Sequence, residues 1–301
     1  MADHSTKHIW QAFFTNLAIA IIKAIAALLT KSGAMLAEAI HSAADCSNQL
    51  LLLLGVNRAA KSPDASHPLG YGRSLYFWSF LVAQLLFTAG GVFSIYEGLH
   101  KIWYPEELHH LEAGLAVLFL AFLMEGWSTL QNIREMKQRR GNIPFMRYLR
   151  DTKESDLIVV FGENSAATAG LVLAMTATLL AWYTGDPRWD GAGSLMVGVV
   201  LVAVAIFLAI EIQSLLVGER ADPRIEADIL RIVEADPYVL ELLNLITVQQ
   251  GPGEVMVAMK VRMQEGLVTS EICDRINAFE KNLKAARPEI RWCFVEPDNH
   301  V

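Results

Sequence analysis

Apolar residues along this chain come in long blocks separated by short polar breaks. Six blocks reach the roughly 20 residues a helix needs to cross the hydrocarbon core of a bilayer. They are Ile9 to Thr30, Ala34 to Val56, Leu75 to Leu99, Leu111 to Gln131, Leu157 to Tyr183 and Gly191 to Leu216. Turn-prone residues punctuate them: Lys31-Ser32-Gly33, Ser62-Pro63-Asp64, Tyr104-Pro105 and Gly185-Asp186-Pro187. After Gly218 the pattern becomes amphipathic. Asp222-Pro223 opens a helix with Ile225, Ile229, Ile232 and Val233 at helical spacing, and Asp236-Pro237 stops it. Tyr238 to Gln250 and Glu254 to Gln264 read as strands around the turn Gly251-Pro252-Gly253, with Val255, Val257, Met259, Val261 and Met263 on one face. A helix from Ser270 to Ala286 and a strand from Ile290 to Val295 complete a helix-strand-strand-helix-strand order. The chain therefore reads as an α-helical membrane protein. Six transmembrane helices in residues 1–217 precede an α+β cytosolic domain of the ferredoxin type in residues 218–301. Two helices on one sheet leave its other face free for a dimer.

Lys and Arg are distributed unevenly among the connections. Arg58, Lys61 and Arg73, then Arg134, Lys137, Arg139, Arg140, Arg147, Arg150 and Lys153, fall on one side, against Lys31, Lys101 and Arg188 on the other. That bias of roughly ten to three, with an even number of spans, puts both termini in the cytosol. Hydrophobic residues make up 53% of the chain and mean hydropathy is +0.33, which fits a bilayer. A net charge of −7 argues against a nucleic-acid partner. Cys46, Cys273 and Cys293 form no CxxC or Cys/His ladder and read as reduced thiols. No small-residue cleavage site precedes the first apolar block, and the lack of an organelle presequence points to a multi-pass protein of a bacterial-type plasma (inner) membrane.

An ionisable side chain in mid-bilayer costs at least ~2.5 kcal/mol, so each one inside a span is a functional candidate. Glu38, His41 and Asp45 lie at i, i+3 and i+7 of the second block, on one helical stripe. His41 and Asp45 form an HxxxD pair, and an imidazole and a carboxylate one turn apart can reach one small cation. Zn²⁺ accepts mixed nitrogen and oxygen ligands; Mn²⁺, Fe²⁺ or Co²⁺ can use the same groups. The competing reading is a buried His–Asp hydrogen bond between helices, which the insertion cost disfavours. In the fifth block Glu163 reads either as the partner that completes the site, with Asn164 as oxygen donor, or as an interhelical hydrogen bonder. Asn16, Lys23, Gln84, Glu97, Glu112 and Glu125 are candidates to line a pathway, those near block ends being snorkelling or packing residues. Asp190 reads as the cap of the sixth helix. The small-residue stretch Ala166 to Gly170 permits close helix packing. No nucleophile elbow or HExxH motif accompanies these groups, so an enzyme is not expected.

Glu38-Ala39-Ile40-His41-Ser42-Ala43-Ala44-Asp45, His67-Pro68-Leu69-Gly70-Tyr71-Gly72-Arg73 and Val295-Glu296-Pro297-Asp298 together resemble the cation diffusion facilitator family over essentially the whole chain. Glu163 to Ala167, Trp189 to Ser194 and Ser214 to Glu219 resemble its branch containing zinc transporter nine. The resemblance implies homodimers, a tetrahedral intramembrane metal site shared by the second and fifth spans, and metal/proton antiport by alternating access. The cargo it implies is a divalent metal, zinc first, with manganese, iron, cobalt or cadmium as alternatives, and protons as counter-substrate. Carried over residue by residue, it supports His41 and Asp45 and takes Glu163 as a substitute, because Ala167 stands where most members place the second ligand of that span. His300 is the one histidine of the C-terminal part, so accessory metal sites there are absent or carboxylate-based. A membrane scaffold or regulator that keeps the fold without transporting is the alternative reading.

Overall fold

The computed structural model describes residues 2–153 and 155–299. The apolar blocks form long helical rods that end at the expected polar breaks. These are α1 (Ala2–Thr30), α2 (Gly33–Ala59), α3 (Ser74–Leu85) continued by a π-helical stretch (Leu86–Val92) into α4 (Phe93–Trp103), α5 (Leu111–Arg140), α7 (Ser155–Thr184) and α8 (Arg188–Val217). A short helix absent from the hydrophobic pattern, α6 (Phe145–Asp151), joins α5 to α7 and packs Tyr148 and Leu149 against Met136. Ser74–Trp103, Leu111–Arg140, Leu157–Thr184 and Arg188–Val217 are long and apolar enough to cross a membrane by length and composition. The apolar part of α1 is shorter, Asn16–Thr30. Glu38, His41, Asp45, Asn48 and Gln49 make α2 less apolar than its neighbours.

The core lies along α8, where Val197, Leu201, Leu208 and Ile212 are buried with Tyr76 and Leu86. The π-helical stretch carries Gly90 and Gly91; a Cβ on Gly91 would stand 2.6 Å from Val202 Cγ2 and 3.1 Å from its backbone nitrogen, so this close crossing needs glycine. Large apolar side chains such as Leu28, Phe119, Val199 and Ile210 point outward. That much exposed apolar surface suits lipid rather than water.

Asp190 does not cap its own helix. Its carboxylate is fully buried and accepts from the Gly33 backbone nitrogen at 2.5 Å and from the Ser32 hydroxyl, while Ser32 Oγ accepts from Met35 nitrogen at 3.0 Å. The residue expected to start α8 thus ties off the orphan N–H groups of α2.

Beyond Val217 come α9 (Pro223–Ala235), β1 (Val239–Gly251), β2 (Glu254–Met263), α10 (Thr269–Ala286) and β3 (Ile290–Pro297), in the order the sequence pattern predicts. Asp222 caps α9 by accepting from Arg224 nitrogen, and Pro223 occupies the first turn, where a missing N–H costs nothing. The sheet order is β1-β2-β3, with β1 antiparallel and β3 parallel to β2. Val255, Val257, Met259, Val261 and Met263 all face inward, against Ile225, Ile229 and Val233 of α9 and Phe279 and Leu283 of α10. On the opposite face Ile246, Ala258 and Phe294 stand in one row across the three strands, with Ile246 and Phe294 exposed. The α2–α3 loop meets the β1–β2 hairpin so closely that a Cβ on Gly72 would stand 2.7 Å from the Gln250 carbonyl oxygen. Lys153 also reaches Glu219 at 2.6 Å.

Two outcomes follow. Asp190→Ala strips Gly33 and Ser32 of a buried acceptor and is expected to destabilise the helical part by about 1–3 kcal/mol, read as a lower melting temperature in detergent. Burial pushes the Cys293 thiol up to about 12, whereas Cys273 is exposed. Iodoacetamide near about pH 8 is expected to alkylate Cys273 and spare Cys293 in the folded chain, as read by peptide mass spectrometry.

Candidate metal centre

With 3.6 residues per turn, Glu38, His41, Asp45 and Asn48 share the face of α2 that turns into the bundle. Glu38, His41 and Asn48 are fully buried, and the Asp45 side chain is 18% exposed. His41 Nε2 stands 3.8 Å from Asp45 Oδ2, beyond hydrogen-bond distance. Among the described residues neither ring nitrogen of His41 has a hydrogen-bond partner, on α2 or on another helix, nor do Asp45 Oδ1 and Asn48 Oδ1. A buried polar group left unsatisfied costs about 1–3 kcal/mol, so a cluster of them marks a place arranged for something else.

Opposite this face stands α7. Glu163, 9% exposed, accepts from Asn48 Nδ2 at 2.5 Å, and its carboxylate is near enough to Asp45 for the two to repel. Among the described residues no three His, Cys, Asp or Glu side chains lie close enough together to hold one ion. Asp45 and Glu163 face each other from two helices, with His41 one turn from Asp45 on α2.

The structure places Asn164 elsewhere. One residue on, and so about 100° round the helix, its amide reaches Ser128 of α5 at 3.4 Å and its carbonyl oxygen accepts from Thr129. The polar amide beside Glu163 is Asn48, which the sequence reading passed over. Its spacing was the available signal, since Asn48 continues the stripe at i+3 from Asp45 and i+7 from His41. Gln84 is exposed on the outside of α3 and lines no interior path. Asn16 and Glu97 are half-buried and Glu112 is exposed.

Glu38 belongs to a second cluster. Lys23 of α1, fully buried, donates to Glu38 at 3.1 Å, to Glu125 of α5 at 2.7 Å and to Ser42 Oγ at 2.9 Å. Three side chains that the sequence offers as separate pathway candidates are one ion-paired group drawn from three helices.

An apolar bundle with ionisable groups paired across its interior is the architecture of a polytopic membrane protein. Residues 9–217 match the model of the cation efflux transmembrane domain, and the chain belongs to the cation efflux family. It is 30% identical over 84% of its length to the mitochondrial proton-coupled zinc antiporter SLC30A9 of Xenopus laevis, covering 46% of that protein. It is 28% identical over 91% of its length to metal tolerance protein C4 of Arabidopsis thaliana, covering 60%. With an uncharacterized transporter, MJ0449, of Methanocaldococcus jannaschii it shares 22% identity over 94% of both chains. The chain spans about half the length of the first two relatives. The first of these is named as an antiporter and the third as a transporter.

The expected bacterial-type plasma membrane is corrected by the same findings. The SLC30A9 relatives of Xenopus laevis and Homo sapiens and a metal transporter of Saccharomyces cerevisiae are all named as mitochondrial. What stands is a multi-pass membrane protein.

Asn48→Leu would leave the Glu163 carboxylate without its donor inside the bundle. A loss of about 1–3 kcal/mol is expected, measured as reduced thermal stability in detergent, with Asn164→Leu costing less because its amide contact is long and half-exposed.

Proposed function

We propose that this chain carries a divalent transition-metal cation, zinc first, across a membrane in exchange for protons. The observation that carries the reading is the fully buried His41 with both ring nitrogens unpartnered, one turn from Asp45 and across from Glu163. A neutral imidazole and two carboxylates offer a nitrogen and oxygen donor set suited to Zn²⁺; manganese, iron, cobalt and cadmium are further candidates. Asn48 holds Glu163 through its amide nitrogen, and its amide oxygen is the fourth donor in place of Asn164.

Metal binding needs the imidazole neutral and the carboxylates ionised, so protons and metal compete for the same atoms. Exposed to a compartment richer in protons, the site loads protons and releases metal; exposed to the proton-poorer side, it does the reverse. Rocking of helices between these two exposures couples the fluxes. The names of the SLC30A9 relatives, proton-coupled zinc antiporters of mitochondria, support both the exchange and a mitochondrial membrane.

In this reading α1, α2, the α3–α4 rod, α5, α7 and α8 are six spans with both termini on the side that holds the Lys- and Arg-rich loops. The division falls at residues 217 and 218, and the C-terminal part is a ferredoxin-like domain. Its parallel β2–β3 pair joined through α10 supports that assignment. The chain works as a homodimer, and the row Ile246, Ala258 and Phe294 on the helix-free sheet face supports pairing there. The competing scaffold reading draws on the spread of the donors, no three of which share one ion in this conformation.

Flux decides between them. In liposomes holding the full chain, an imposed proton gradient is expected to drive Zn²⁺ transport that Asp45→Ala abolishes; unchanged proton-coupled transport in that variant refutes the assignment. Asn48→Ala is expected to weaken Zn²⁺ binding about 10- to 100-fold, as loss of a group that orients a ligand does, whereas Asn164→Ala leaves binding near the wild-type value.

A further inference from the structure

We infer that Lys23 is a tethered stand-in for the cargo: its ammonium fills an acidic cage of Glu38 and Glu125 through which a divalent cation passes between the His41 centre and the side opposite the termini. This rests on the carrier reading above. Glu38 precedes His41 by three residues on α2, which sets the cage about 4.5 Å further along the helix, toward its N-terminal end. By the charge bias of the loops that end faces away from the side that holds both termini.

The cage is built rather than incidental. Lys23 Nζ lies 3.1 Å from Glu38 Oε2, 2.7 Å from Glu125 Oε1 and 2.9 Å from Ser42 Oγ. Its remaining oxygens, Glu38 Oε1 and Glu125 Oε2, are buried without a hydrogen-bond partner. A Cβ on Gly170 of α7 would collide with Glu38 Oε1, so glycine there leaves the carboxylate its room. Carboxylates and a hydroxyl drawn from α2 and α5 are hard oxygen donors of the kind that accept divalent ions.

Charge counting points the same way. With both carboxylates ionised, one ammonium leaves the cage one negative charge in excess, and a divalent ion in its place brings it to neutrality. The ammonium cannot leave, because α1 holds it, so it closes the cage whenever no cargo occupies it. Passage then consists of exchange: the ion enters between Glu38 and Glu125 as Lys23 swings aside, and Lys23 returns when the ion departs. No bond is made or broken beyond these ionic contacts.

Removing the ammonium opens the cage to a resident ion. The full chain in detergent is titrated with Zn²⁺ by equilibrium dialysis. Lys23→Gln is expected to hold one ion per chain more than the wild type. Lys23→Gln combined with Glu125→Gln is expected to lose that extra ion, and Lys23→Arg to bind as the wild type does. A monodisperse Lys23→Gln that binds no more than the wild type overturns the inference. Should that variant not fold, the wild type still decides: amidination of Lys23 by methyl acetimidate in membrane vesicles, read by mass spectrometry, is expected to rise several-fold when Zn²⁺ is present, and labelling that Zn²⁺ leaves unchanged overturns it. The two readings fail separately. If Asp45→Ala keeps full flux but Lys23→Gln gains its ion, the His41 centre is misassigned and the cage stands; if Asp45→Ala abolishes flux and no extra ion appears, the reverse holds.

Discussion

Charge in hydrocarbon needs a partner, and in this chain one helix carries most of it. Glu38, His41, Asp45 and Asn48 lie along a single face of α2, where an insertion cost of ~2.5 kcal/mol or more per ionised group would otherwise go uncompensated. Each neighbouring helix contributes something that face requires. From α1 comes Lys23, from α5 Glu125, from α7 Glu163, and from α8 Asp190 at the helix N-terminus. The arrangement of the bundle around α2 is in this sense an answer to its polar stripe, with the apolar core along α8 supplying the packing that holds the partners in range.

How much of this the sequence displays depends on the range of the signal. Block lengths and turn residues mark most ends of the helical rods to within a few positions, but not the start of α1 at Ala2 or the end of α5 at Arg140, where polar residues extend the helix past its apolar block; period-two alternation marks Val255 to Met263 as the inward face of a strand. These are local consequences of local pattern. Asp190 is different: its position at the start of an apolar block looks like a self-cap, and only the packing of α8 against α2 gives it Gly33 and Ser32 instead. Asn164 and Asn48 fail for the same reason in opposite senses. Adjacency in sequence put Asn164 beside Glu163, although adjacent helical residues diverge by about 100°. Asn48 sits outside the HxxxD motif yet shares its face. The π-helical stretch and α6 carry no periodic signature at all; Gly91 yields to contact with Val202 and Gly90 to Leu201, and Tyr148 folds onto Met136.

The sheet domain shows a similar division. Its inward face was readable because burial on one side imposes alternation. The contact of Gly72 with the β1–β2 hairpin was not, since nothing in the loop sequence states what it touches. That contact gives the loop motif from His67 to Arg73 a structural meaning. Within the loop, Asp64 accepts from the His67 nitrogen at 2.8 Å and from the Tyr71 hydroxyl at 2.8 Å, which fixes the turn that presents Gly72 to the sheet. The loop therefore mechanically links the C-terminal ends of α2 and β1.

These contacts grip α2 at successive levels. Its N-terminal end is bound to α8 through Asp190, the stretch from Glu38 to Ser42 to α1 and α5 through Lys23, and its middle to α7 through Asn48 and Glu163. A helix so held cannot slide as a unit without breaking several buried polar contacts together, each costing about 1–3 kcal/mol when left unmade. The contacts belong to different partner helices, however, so a tilt of α2 about the level of Glu38 and Ser42 would load the Asp190 contact and the Glu163 contact in opposite senses and leave the Lys23 ion pairs formed. The polar stripe therefore fixes α2 along its axis more firmly than it fixes its inclination.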